Sequence, residues 1–208
     1  MNRSSALNTA TLSSALATIL ALLTLHFLPH GRDLNPVHHW LSEYVLSHNS
    51  AAIWLMRSSF AVLGLTAWTV GFRATTRVGR FTFGLAGAAL VSMIFFESAP
   101  NDGKHLAMAR PLLPGSIHQL LLYIAIGGAL IGMFTETLRF QLRRASLWAA
   151  FSMAAIGTAM QTVLVTEAHR TGSMTYFGGL TERLVVVAML AWVVLYSCGS
   201  SQIARNLT

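Results

Sequence analysis

The chain has 208 residues, 54% of them hydrophobic and 10% charged, with a formal net charge of +7 and one cysteine. An ordinary soluble domain carries roughly 25% charged residues, so this composition excludes a surface of the usual water-solvated kind. The lone cysteine, Cys198, excludes an intramolecular disulfide. The arginines are scattered between apolar runs without interleaved aromatics, which excludes a nucleic-acid-binding stripe.

Six stretches approach the roughly 20 residues that a helix needs to cross a bilayer core. They run from about Thr9 to Leu28, Ala51 to Phe72, Phe81 to Ala99, Ile117 to Thr137, Ser146 to Thr166, and Glu182 to Cys198. The expected fold is an all-α integral membrane protein, one polytopic unit over residues 1–208 with six transmembrane helices. The first span has the charge pattern of a signal peptide, but no small-x-small cleavage site follows Leu28, so a retained helix is expected. Small residues at close-packing spacing mark expected helix seams: Gly84 and Gly87, Gly128 and Gly132, Ala155 and Ala159.

The connections alternate in character. Arg73, Arg77 and Arg80 mark the link between spans two and three, and Arg139, Arg143 and Arg144 the link between four and five. With Arg3 and Arg205 at the ends, the positive-inside rule puts these regions and both termini in the cytoplasm, the inner (plasma) membrane of a bacterium being the expected location. The other three connections hold all eight histidines and six of the seven acidic residues at or near the span ends they join. Any chemistry is therefore expected on one face.

The first of those connections reads Asn35-Pro36-Val37-His38-His39-Trp40-Leu41-Ser42-Glu43-Tyr44-Val45. Asn35 is a good N-cap and Pro36 suits the first helical position. Val37, Trp40, Leu41, Tyr44 and Val45 recur at helical spacing. The expectation is a short amphipathic interfacial helix with Trp40 and Tyr44 as headgroup-level anchors. Its polar face, His38, His39, Ser42 and Glu43, meets water or turns inward over the bundle mouth.

The second connection begins with Glu97 and Asp102, and Pro114-Gly115-Ser116 then restarts a helix, with Ser116 as its cap. His118 falls about one turn inside the membrane boundary, where an ionisable group needs a partner; Asp102, Glu97 and the polar face of the interfacial helix are the candidates. In the third connection Thr181 is expected to cap the last span. Glu182 suits the positive helix end, whereas Arg183 opposes the helix dipole and calls for an acidic neighbour. Arg57, two turns into the second span, poses the same question. Buried pairing that fastens helices together is the expected role of both arginines.

The order Asn35-Pro36, Leu41-Ser42-Glu43-Tyr44, a Phe-rich span end with Asp102, Gly115-x-Ile117-His118 and Gly179-Leu180-x-Glu182-Arg183 resembles a bacterial multi-pass membrane family, that of domain of unknown function 998. The resemblance covers nearly the whole chain and implies six transmembrane helices, without an assigned reaction. Members usually read Phe-Pro-x-Asp where this chain has Phe96-Glu97-Ser98-Ala99-Pro100-Asn101-Asp102.

Three functions fit these residues. The first is an accessory or small-ligand- or lipid-binding subunit of a membrane assembly, with membrane lipid, a membrane-protein partner or a second copy as partners. The alternative is an outer-leaflet hydrolase using Ser42, Glu43, Asp102 and His118, with zinc held by His39, Asp102 and His118. It is distantly similar to membrane hydrolases of the alkaline ceramidase type, but those have seven spans and a histidine pair on the last. His39 and Glu43 stand at i, i+4, and no tight ligand motif such as H-E-x-x-H is present. A transporter or proton-linked channel comes third, because the span centres are apolar apart from Ser, Thr and Gln161. His26 and His118 are the one pair placed for haem. His38, His39, Glu97, Glu182, Arg183 and Arg57 form the expected structural or ligand-contacting polar cluster.

Overall fold

Six long helices, α1 (Arg3–Leu25), α2 (Ser50–Arg73), α3 (Arg77–Ser92), α4 (Leu113–Arg139), α5 (Arg144–Thr171) and α6 (Gly178–Arg205), make up the computed structural model. A 3-10 turn at Leu41–Leu46 precedes α2, and another at Met93–Phe95 prolongs α3. The structure describes residues 3–28, 39–46, 49–96, 113–139, 144–171 and 177–205, and all regular structure among them is helical. Each of the six includes a segment long and apolar enough to cross a membrane.

The helices run up and down, each packed on its chain neighbours, and α6 closes back on α1. The most extensive seams are α3–α4, α5–α6 and α2–α3, and the thinnest are α4–α5 and α1–α6. Leu16, Leu20, Phe72, Phe81, Ile131, Met153, Ile156 and Val187 are all exposed on the outside. Such a girdle is costly in water and costs nothing in hydrocarbon, so this is a multi-pass membrane protein.

Between helices in lipid, close approach and interhelical hydrogen bonds replace the hydrophobic effect. On the α1–α2 seam Thr11 donates to Thr69 at 3.0 Å and Thr66 to Ser14 at 2.8 Å. On the α2–α3 seam the Trp68 indole donates to the Gly84 carbonyl at 3.0 Å. A Cβ at Gly87 would stand 2.5 Å from the Trp68 ring and 2.8 Å from the Gly64 carbonyl, so the two backbones touch there. Gly128 and Gly132 face α3 in the same way.

Two expected seam positions differ. Nothing lies within 4 Å of a Cβ at Gly84, and Ala159 is exposed. The buried stripe of α5 is instead Leu147, Ala150, Ala154, Gly157, Gln161 and Val165. Its spacing of three and four follows the helical repeat, one step out of phase with the Ala155–Ala159 pair.

Span boundaries also move. The expected start of span three at Phe81 becomes Arg77, because Thr76 caps α3 by accepting from the Gly79 N–H at 2.9 Å. Arg73, Arg77 and Arg80 therefore sit within helices, and Ala74–Thr76 alone makes the link. Neither Ser116 nor Thr181 is a cap. Leu113 begins α4, and the Thr181 hydroxyl donates back to the Gly178 carbonyl at 2.9 Å inside α6.

Candidate functional site

The two ends of the ring are closed by different polar devices, and an apolar space lies between them. At the end where α1 and α3 finish, the Leu41–Leu46 turn lies across the bundle mouth. Leu41, Ser42, Glu43 and Tyr44 are all buried. Four consecutive buried residues cannot belong to a surface amphipathic helix, and Tyr44, at 0% exposure, is a core residue and not a headgroup anchor. Of the two expected orientations of Ser42 and Glu43, the structure has the inward one. Asn35, Pro36, Val37 and His38 lie outside the described residues.

Hydrogen bonds explain the inward turn. The Glu43 carboxylate accepts from the Trp40 backbone N–H at 2.8 Å and from the His39 ring at 3.0 Å, so it caps its own turn. Glu182 reaches across from α6 and accepts from the Leu41 N–H at 2.6 Å. Arg183, beside it, donates through Nη1 to the His39 and Gly179 carbonyls, both at 2.9 Å, and through Nε to His26 Nε2 at 3.2 Å. His26 in turn donates from Nδ1 to the Leu22 carbonyl at 2.7 Å, which leaves Nε2 free to accept. Arg183 thus ties α1, the turn and α6 together through carbonyls and an imidazole. The acidic partner expected for it is absent among the described residues as a direct ion pair. Burial pushes the Tyr44 phenol up from its ordinary value, and the neighbouring Arg183 charge draws it part of the way back.

His118 is buried at 3% exposure on α4, where its Nδ1 donates to the Phe96 carbonyl at 2.8 Å and its ring packs edge-on against Phe60. Its partner is thus a backbone carbonyl. Asp102 and Glu97 lie outside the described residues, and no hydrogen bond joins His118 to His39, Ser42 or Glu43 among those described. Among the described residues no three His, Cys, Asp or Glu side chains stand together as a metal site. Arg57 lies apart from Arg183, its guanidinium 6.0 Å from the exposed Trp54 ring one turn away on α2.

At the opposite end the organising residue is the seventh acid, Glu136, the one that does not share an end with the others. It is fully buried. Its carboxylate accepts from the Thr75 and Thr76 N–H groups at 2.9 and 2.8 Å, from their hydroxyls at 3.0 and 2.6 Å, and from the Tyr196 hydroxyl at 3.1 Å. The α2–α3 turn is in this way fastened to α4 and α6. Tyr196 stacks on Trp192, whose indole donates to Thr137 at 2.9 Å, and Arg73 donates to Ser197 at 2.9 Å. This centre is not among the polar clusters expected from the sequence. The sequence carries a signal for it in a lone carboxylate among arginines, with one helix, α3, between it and the Thr75–Thr76 pair.

Between the two ends lies a cavity of about 110 Å³. It is walled by Leu63, Val70 and Phe60 of α2, Phe83 and Leu90 of α3, Leu122, Ala125, Ala129 and Met133 of α4, and Val186, Met189 and Val193 of α6, with Leu22 and Leu41 at the capped end. None of the lining residues belongs to α5. Thr66 and Glu182 are its two polar members. On α6 the lining runs from Glu182 to Val193, which at 1.5 Å per residue is about 16 Å along the helix. The space is long, narrow and apolar. The space is partly open to its surroundings, and apolar spaces of this order lined by aliphatic side chains accept small apolar molecules.

The model of the family described as "Protein of unknown function (DUF998)" matches residues 12–199, and the chain belongs to that family. No curated protein and no solved structure matches the chain.

Proposed function

We propose that this protein is a membrane-embedded binding protein that holds one slender apolar molecule, a lipid chain or a small apolar ligand, within its helix ring. One observation carries the reading: the 110 Å³ apolar cavity between the capped end and the Glu136 end. A soluble core would fill such a space, because each missing packing contact forfeits dispersion energy. Here helices joined mainly to their chain neighbours leave the axis to side chains, and Ala67, Ala125 and Ala129 are too short to meet across it. Met56, Met133 and Met189 also line it, and flexible thioethers adapt readily to an occupant.

In the proposed setting the arginine-bearing ends face the cytoplasm of a bacterial inner membrane, by the positive-inside rule. The capped end, with Glu182 and Arg183, then faces outward. Within an assembly the protein acts as an accessory subunit that presents or stores its ligand.

Native mass spectrometry of protein released from lipid nanodiscs tests the reading. Wild-type protein retains one apolar molecule per chain, and Ala129→Phe, which fills the space, retains none while keeping its melting temperature within a few degrees. Ala67→Leu provides a second, milder filling. Equal retention by wild type and both filled variants would overturn the proposal.

A further inference from the structure

Three residues border the capped end of the cavity, each a turn away from a residue of its wall. On α1, His26 follows the wall residue Leu22, whose carbonyl its Nδ1 meets at 2.7 Å. On α6, Arg183 precedes the wall residue Val186. In the Leu41–Leu46 turn, Tyr44 follows the wall residue Leu41 at the i, i+3 spacing where 3-10 side chains eclipse. The three meet: Arg183 Nε lies 3.2 Å from His26 Nε2, and the Tyr44 and His26 ring centroids are 5.7 Å apart. Two of their donors, the Tyr44 hydroxyl and Arg183 Nη2, have no hydrogen-bond partner among the described residues, and both are shut off from solvent. Tyr44 itself is fully buried. Buried donors left unsatisfied are costly, and native structures seldom keep them without a use.

We infer that the molecule held in the cavity is an acyl chain whose oxygen, an ester carbonyl or a carboxylate, accepts from the Tyr44 hydroxyl and Arg183 Nη2 beneath the Leu41–Leu46 turn. The inference rests on the binding reading above and adds the chemistry of the head group. Length and narrowness select the chain, since about 16 Å of wall enclosing 110 Å³ suits a slender alkyl segment better than a compact ring system. The two donors select the head. An oxygen acceptor satisfies both, whereas an alkylammonium only donates and would face the guanidinium charge. Net charge does not enter the choice, because among the described residues at this end Arg57, Arg170 and Arg183 balance Glu43, Glu167 and Glu182. The acyl oxygen can therefore come neutral, on a membrane glycerolipid, or charged, on a free fatty acid. Neither donor is accessible with the turn closed, so the turn shifts to admit the oxygen.

The test uses the full chain in nanodiscs with ¹³C-methyl methionine. Resonances of Met56, Met133 and Met189 report occupancy of the cavity, and lipid-facing Met153 and Met160 report partition into the bilayer. Methyl hexanoate, hexanoate, hexylamine and hexane are titrated separately, with each affinity referred to the probe's concentration in the bilayer. The expected result is saturable shifts at the three cavity methyls, with methyl hexanoate or hexanoate binding about tenfold more tightly than hexane and hexylamine, in line with hydrogen bonds from a charged donor. Tyr44→Phe keeps the ring and removes the hydroxyl, so it should lower the affinity of the favoured acyl probe by about threefold and leave hexane unchanged. Arg183→Lys keeps the charge and removes Nη2, and should lower it by about tenfold, again sparing hexane.

Binding of all four with equal affinity, unchanged in both variants, would overturn the head-group inference and leave the binding reading standing. So would tighter binding of hexylamine than of both acyl probes. Absence of any shift at the cavity methyls with every probe would overturn both readings. A stronger affinity for the ester supports the inference and identifies a glycerolipid chain as the occupant, and a stronger affinity for the carboxylate supports it and identifies a free fatty acid.

Discussion

Glu136→Gln should unfasten the end of the bundle opposite the cap. In the native protein Oε2 receives the Thr75 N–H, the Thr75 hydroxyl and the Tyr196 hydroxyl, while Oε1 receives the Thr76 N–H and hydroxyl. Glutamine replaces one acceptor oxygen by an NH₂ group. Whichever side it takes, a buried backbone N–H then faces another donor. An orphaned buried donor costs about 1–3 kcal/mol, and the remaining bonds lose their charge assistance at about 1 kcal/mol in sum. Displaced hydroxyls add about another 1 kcal/mol, so the total is about 3–5 kcal/mol. For a chain of this size that corresponds to a melting temperature lower by on the order of 10 °C. Thermal denaturation of detergent-solubilised protein, followed by size-exclusion fluorescence, reads this directly. A cycle with Thr76→Val adds a specific check, because loss of the hydroxyl should cost at least 1 kcal/mol less in the Glu136→Gln background than in wild type. A Glu136→Gln protein that melts within about 3 °C of wild type, or a cycle that adds up without coupling, would refute the reasoning.

Three further outcomes follow from the geometry. Gly87→Ala drives a Cβ to 2.5 Å from the Trp68 ring and should destabilise the α2–α3 seam by about 1–3 kcal/mol, whereas Gly84→Ala meets open space and should be neutral or slightly stabilising; equal melting temperatures would contradict the seam. Arg183→Met releases the bonds to His26, His39 and Gly179, so a cysteine at the buried Ser42, protected from a membrane-impermeant maleimide in the parent, should become reactive; continued protection would count against Arg183 as the tie of the turn. In a Cys198→Ser background, cysteines at Thr75 and Gln141 should label from the cytoplasm and one at Gly172 from outside, and labelling of all three from one side would reverse the proposed orientation.

The number and order of the spans were legible because a bilayer demands long apolar runs and tolerates few ionisable groups inside them. Boundaries differ from expectation where charged residues resemble a loop. Arg77 and Arg80 look like linker residues, yet the Thr76 cap starts α3 just before Arg77. The interfacial turn differs from expectation for a related reason. Spacing places Tyr44 and Leu41 on one face, but Glu182 and Arg183, more than a hundred residues away, pull the whole turn inward. The pairing of His39 with Glu43 and the gathering of Glu182 and Arg183 near them were legible as residue types at one end. The central cavity had no such trace. Helices that are apolar on all sides carry little periodic signal for which face looks inward, and the space depends on the lengths of side chains that meet from six elements.

Interior occupancy is tested most directly by anomalous diffraction from crystals equilibrated with 1-bromohexane. One bromine site inside the ring, bounded by Phe60, Ala129, Met133 and Val186 and lost in Ala129→Phe, is the predicted result. Bromine found solely among the lipid-facing side chains, with the ring interior unchanged between the two proteins, would contradict it.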